Sequence, residues 1–143
     1  MSELPFYLGA FIVVLGVLIV VHEFGHYLAA RYCGVRVLRF SVGFGRTLWQ
    51  RRLGRDGTEW AVGVFPLGGY VKMLDEREGE VAPEELERAF NRQSVGKRSL
   101  IVAAGPAANF VLAIVLYWAL FMLGSEELRP ILGTPPVASP AAI

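Results

Sequence analysis

The sequence predicts a membrane α-helical protein: two transmembrane helices joined by a membrane-associated small β-sheet and a short amphipathic helix. Three observations carry this. Apolar residues make up 54% of the 143 positions, above the roughly 45–50% of soluble domains, and mean hydropathy is +0.45. Two apolar runs are long enough to cross a bilayer. Thirteen of the 14 Lys and Arg residues lie between those runs.

The first run, Phe6 to Ala30, reaches about 37 Å at 1.5 Å per residue, more than the ~30 Å hydrocarbon core. Glu3 precedes it with no Lys or Arg, so the basic start of a cleavable signal peptide is missing and residues 1–30 are expected to stay as a helix. Next, residues 31–98 are too patterned for a passive connector. Leu38, Phe40, Val42 and Phe44 alternate with Arg39, Ser41 and Gly43, and Trp60, Val62 and Val64 alternate with Glu59, Ala61 and Gly63, the period of strands. Gly54 to Gly57 is a turn of the Asp-Gly kind, and Pro66 with Gly68 and Gly69 marks a second reversal before a third extended run. Such an apolar sheet is either a soluble subdomain or lies against the membrane, and the scarcity of covering elements favours the membrane.

Pro83 then opens a short amphipathic helix with Glu84, Glu85 and Glu87 at its positive end and Leu86 and Phe90 on one face. The second run, Leu100 to Leu123, contains no charge and reaches about 35 Å, giving a helix over residues 99–124. The basic residues between the runs put 31–98 in the cytoplasm and both ends on the other side. A net charge of +1 gives no support to nucleic-acid binding. The single cysteine, Cys33, excludes an intrachain disulfide and reads as a structural bystander.

Within the first run stands His22-Glu23-Phe24-Gly25-His26. Histidines at i and i+4 share a helix face and can reach one metal ion, with a carboxylate beside them to accept a proton from a metal-acidified water. An acidic residue at bilayer centre costs about 2.5–3.5 kcal/mol even on mild scales, so three polar groups there point to function. A packing-satisfied histidine pair and a proton relay are the alternatives. Asn109 belongs at the same depth: His22 is eight residues, about 12 Å, from Ala30, and Asn109 is nine residues, about 14 Å, from Leu100. It faces either the metal site or a substrate backbone, or serves as interhelical glue. Small residues before it let helices approach closely, and Pro106 leaves a carbonyl without its helical donor.

Together with HEFGH, the segments CGVRVLRFSVGFG, PLGGYVKMLDE, AFNRQSVGKR and AAGPAANF resemble the amino-terminal part of the bacterial site-2 proteases over nearly the whole chain. The resemblance implies a zinc-dependent intramembrane endopeptidase of the inner membrane, with both termini of this segment periplasmic. It would cut a single-span protein such as an anti-sigma factor, or a remnant signal peptide. It implies His22 and His26 as zinc ligands, Glu23 as the catalytic carboxylate, and a substrate-binding edge around Gly43, Phe44, Gly45, Pro66, Leu67, Gly68, Gly69 and Tyr70, with Asn109 nearby. Such proteases take a third zinc ligand from an aspartate in a later helix. Here the only aspartates are Asp56 and Asp75, both in the loop, and both histidines are already used. Residues 125–143 resemble the opening of a periplasmic PDZ-like domain. The chain thus reads as an amino-terminal portion, inert alone. A non-catalytic metal- or partner-binding membrane module is the alternative, while the histidine count rules out a membrane metal oxygenase.

Overall fold

A computed structural model describes residues 3–54 and 56–124. Helix α1 spans Leu4–Tyr32 and helix α2 spans Val95–Leu123, each 29 residues, and both are long and apolar enough to cross a membrane. Pro5 sits in the first turn of α1, where its missing N–H costs nothing. The Ser94 side chain caps α2 by accepting from the Lys97 N–H. The two helices form an antiparallel hairpin, because contacts climb α2 as they descend α1. Lys97 Nζ donates to the Cys33 carbonyl, His26 meets Ile101, and His22 meets Asn109. Small residues set the crossing: a Cβ on Gly25 would lie 2.4 Å from the Ala104 carbonyl oxygen, so glycine is what lets the backbones meet. The predicted PDZ-like segment 125–143 lies outside the described residues.

Two strands fill the connection, β1 over Val37–Leu53 and β2 over Thr58–Met73, joined by the expected Gly54–Gly57 turn with its Gly57 N–H to Gly54 carbonyl bond. The second predicted reversal does not end a strand. β2 continues through Pro66 to Gly69, and only the partner changes. Residues 58–63 pair with Thr47–Leu53, whereas 69–73 pair with Val37–Val42. Arg39 to Val42 also stand opposite Glu59 to Val62, so the hairpin doubles over itself and the first half of β1 becomes its centre. Phe40 has Val71 on one flank and Trp60 on the other. The fold-over requires close backbone contact at Gly43, where φ is +87° and a Cβ would lie 2.9 Å from both the Gly63 and Phe65 carbonyl oxygens.

The sheet docks on α1 through aromatic rings: Tyr27 lies 5.2 Å from Trp60 and 5.8 Å from Phe40 between centroids. Ala30, Cys33, Val35, Val37 and Ile101 form the buried cluster beneath, which accounts for Cys33 as a packed side chain. The predicted amphipathic helix is instead two 3₁₀ turns, Pro83–Arg88 and Phe90–Arg92. Tertiary backbone bonds cut it short, since the Arg36 N–H takes the Arg88 carbonyl and the Phe90 N–H takes the Leu74 carbonyl. These bonds hold Ala89 extended between the turns.

Candidate metal centre and its cleft

His22 and His26, one turn apart on α1, turn their rings to the same face, with Nε2 atoms 3.2 Å apart and ring planes 82° from parallel. Each ring is anchored from behind by α2. His26 Nδ1 donates to the Ile101 carbonyl at 2.7 Å, and His22 Nδ1 lies 3.4 Å from Asn109 Nδ2. A carbonyl only accepts, so the proton of neutral His26 is on Nδ1 and its Nε2 lone pair is exposed. Both rings press against Gly105 of α2, where a Cβ would sit 2.3 Å from His26 Nε2 and 2.8 Å from His22 Nε2. The carbonyl that His26 uses is Ile101's, one residue before Val102, whose carbonyl loses its helical donor at Pro106.

Glu23 is half-buried on the sheet side of the pair. It reaches Gly69 of β2, where a Cβ would come within 2.9 Å of Glu23 Cγ and of the Ser41 carbonyl oxygen. A cleft of about 440 Å³ opens there, lined by Glu23, His26, Ile101 and the run Gly69 to Met73. A second cavity of about 370 Å³ lies on the far side, against His22, Pro106, Asn109 and Phe110. Of the residues expected to present substrate, Gly69 and Tyr70 line the cleft. Gly68 packs under the Phe44 ring, which stacks on Tyr70 at 6.4 Å. Gly43, Gly45, Pro66 and Leu67 lie farther along the folded sheet and line neither cavity. Asn109 touches the back of His22 rather than the cleft. Val71, Lys72, Met73 and Ile101 were not singled out from sequence, and only the third extended run expected after Gly69 hinted at the first three.

Asp75 lines the outer cleft, and its Oδ1 accepts from the Arg77 N–H. Asp56 lies in the turn between Arg31 and Arg88. Among the described residues, no group of three or more His, Cys, Asp or Glu side chains is gathered to hold a metal ion.

Residues 10–139 match peptidase family M50. The chain belongs to that family. Within it, the M50 chain is 60% identical over 126 residues to the regulator of sigma-E protease RseP of Salmonella typhimurium. It is 59% identical over 126 residues to that of Escherichia coli. A Vibrio cholerae protein whose name proposes a zinc metalloprotease is 50% identical over 133 residues. These matches cover 88–93% of the M50 chain but only 28–29% of each relative, so it spans less than a third of their length.

Proposed function

We propose that this chain is the histidine- and glutamate-bearing portion of an intramembrane zinc endopeptidase of the bacterial inner membrane, with residues 31–98 cytoplasmic and both ends periplasmic. The observation that carries it is the convergence of two imidazole Nε2 atoms to 3.2 Å beside Glu23 on a helix able to span a membrane. Tetrahedral zinc with Zn–N bonds of about 2.0–2.1 Å holds two nitrogens about 3.3–3.4 Å apart, so the pair fits the metal. His22 and His26 are then two ligands, and the third comes from outside the described residues. When bound, zinc supplies the Lewis acidity that brings a water's pKa toward about 7. Glu23 would be the carboxylate that accepts a proton from the attacking water and hands it to the leaving amine.

The substrate is a membrane-spanning protein segment. Its class follows the regulator of sigma-E relatives and is an anti-sigma factor or a remnant signal peptide. A helix must unwind before its peptide bond reaches the histidines, and the freed N–H and C=O groups then need partners in a dry setting. Gly69 to Met73 pair with β1 on one side and line the Glu23–His26 cleft on the other, which suits addition of a substrate strand. Depth supports the same reading. Gly69 also approaches Ile19, twelve residues or about 18 Å from Arg31 along α1, so the apolar sheet reaches membrane depth when α1 spans.

The test is to graft this chain in place of the matched segment of the Escherichia coli relative and follow cleavage of a single-span substrate. The graft should cut. His22→Ala and His26→Ala should lose zinc and activity, whereas Glu23→Gln should keep zinc and lose roughly 10²–10⁴-fold in rate. Near-normal cutting by the Glu23→Gln graft would remove Glu23 as the base. One observation favours a second reading, a non-catalytic metal- or partner-binding module: the described residues gather no third ligand. A folded, zinc-loaded graft that never cuts would favour it.

A further inference from the structure

Asn109 is the one strongly polar side chain in the apolar stretch of α2, and its amide is only half used. Nδ2 lies 3.4 Å from His22 Nδ1, while Oδ1 is buried and has no hydrogen-bond partner. The protons along this row can be counted. His26 carries its proton on Nδ1, facing the Ile101 carbonyl, so its Nε2 is an acceptor. Where the 3.2 Å contact between the two Nε2 atoms is a hydrogen bond, as in a metal-free pair, the proton of neutral His22 sits on Nε2. His22 Nδ1 is then the acceptor for the Asn109 amide N–H, the arrangement in which Nδ2 faces it. The chain of donors is self-consistent, but it puts a proton where a metal needs a lone pair.

For both Nε2 lone pairs to face one metal, His22 must hold its proton on Nδ1, and the group behind it must then accept. A half-turn of the Asn109 amide exchanges Oδ1 for Nδ2 at that position. Because nothing bonds Oδ1, the turn breaks no hydrogen bond except the long one it replaces. We infer that Asn109 is a positioning residue whose reversible amide sets the His22 tautomer, donating to Nδ1 in the metal-free pair and accepting from Nδ1–H when His22 ligates. Ile101 does this for His26 with a fixed carbonyl, so only the His22 arm switches. The inference rests on the zinc reading above for its purpose, but its first test needs no metal.

The experiment uses the 143-residue chain in detergent micelles with ¹⁵N-labelled histidine rings, comparing the parent with Asn109→Asp, Asn109→Leu and Asn109→Ala. Without metal, the His22 ring shifts should report Nε2–H in the parent and Nδ1–H in Asn109→Asp, which can only accept while ionised. His26 should be unchanged throughout. On titration of zinc into the Escherichia coli grafts, which supply the remaining ligand, Asn109→Asp should bind as tightly as the parent or more so, and Asn109→Leu and Asn109→Ala at least about tenfold more weakly. A packing role would instead let Leu, similar in volume and uncharged, outperform Asp. Identical His22 tautomers in all four proteins would overturn the inference. If the tautomer follows residue 109 while no grafted protein binds zinc, the metal reading falls and the positioning role stands.

Discussion

Gly105 shows how narrow the site is at the level of single atoms. It is buried on α2 with both imidazoles lying over its α-carbon, and a methyl there would occupy the space that Nε2 lone pairs and a metal share. Gly105→Ala should therefore cut zinc occupancy and cleavage in the grafted protease by roughly 10- to 100-fold, the scale of disturbing the groups that orient metal-binding histidines. Gly16→Ala is the control: open space surrounds that position on α1, and helix propensity predicts a gain of roughly 0.5–1 kcal/mol. Metal content and melting of the two variants separate the effects, and a Gly105→Ala protein with full zinc would contradict the placement. The histidine pair was legible in the sequence because an i, i+4 spacing inside an apolar run has few other uses. The Ile101 carbonyl and Gly105 were not legible, because a backbone acceptor and a missing side chain leave no signature until two helices are brought together.

Between elements, Asp56 is the tie. Its carboxylate lies 2.9 Å from Arg88 and 3.3 Å from Arg31, so the end of α1, the β1–β2 turn and the first 3₁₀ turn meet at one residue. The Arg88 hydrogen bond, with the charges of Arg88, Arg31 and Arg36, holds its pKa below the ordinary 3.8 against some desolvation. A carboxylate depressed in the folded state adds stability above its unfolded pKa and loses it as pH falls through the folded value. At pH 7 Asp56→Asn should cost roughly 0.5–1 kcal/mol, the range of partly exposed ion pairs. That difference from the parent should shrink below about pH 4, where the unfolded carboxylate begins to protonate. Melting curves from pH 7 to pH 3 check it, and a constant gap would contradict it. Sequence patterning found both the strands and the turn that carries Asp56. It could not find that the strands fold over each other, since alternation gives a face but not a partner. Nor could it foresee that Arg36 and Leu74 would draw the backbone around Ala89 out of a helix.

Across the whole molecule, the antiparallel hairpin puts Cys33 and Lys97 at one level, with Arg31 and Arg98 close by in sequence. One end of the bundle is therefore basic, and the proposed cytoplasmic placement of that end rests on this charge. From that end the sheet descends along α1 as far as Ile19. It carries exposed apolar side chains, among them Leu48 at 70%, Phe65 at 59% and Leu67 at 67%. A surface of this kind calls for a covering, and the proposed membrane placement supplies lipid for it. Cysteine accessibility tests both the orientation and the depth. In a Cys33→Ala background, Glu80→Cys should react rapidly with a membrane-impermeant maleimide in inverted inner-membrane vesicles and not in right-side-out ones. Leu67→Cys should react slowly in both, then rapidly once detergent strips the lipid, because Leu67 is exposed among the described residues. Fast labelling of Leu67→Cys in intact inverted vesicles would mean that the sheet stands in the cytoplasm, and a substrate would then have to leave the bilayer to reach Glu23.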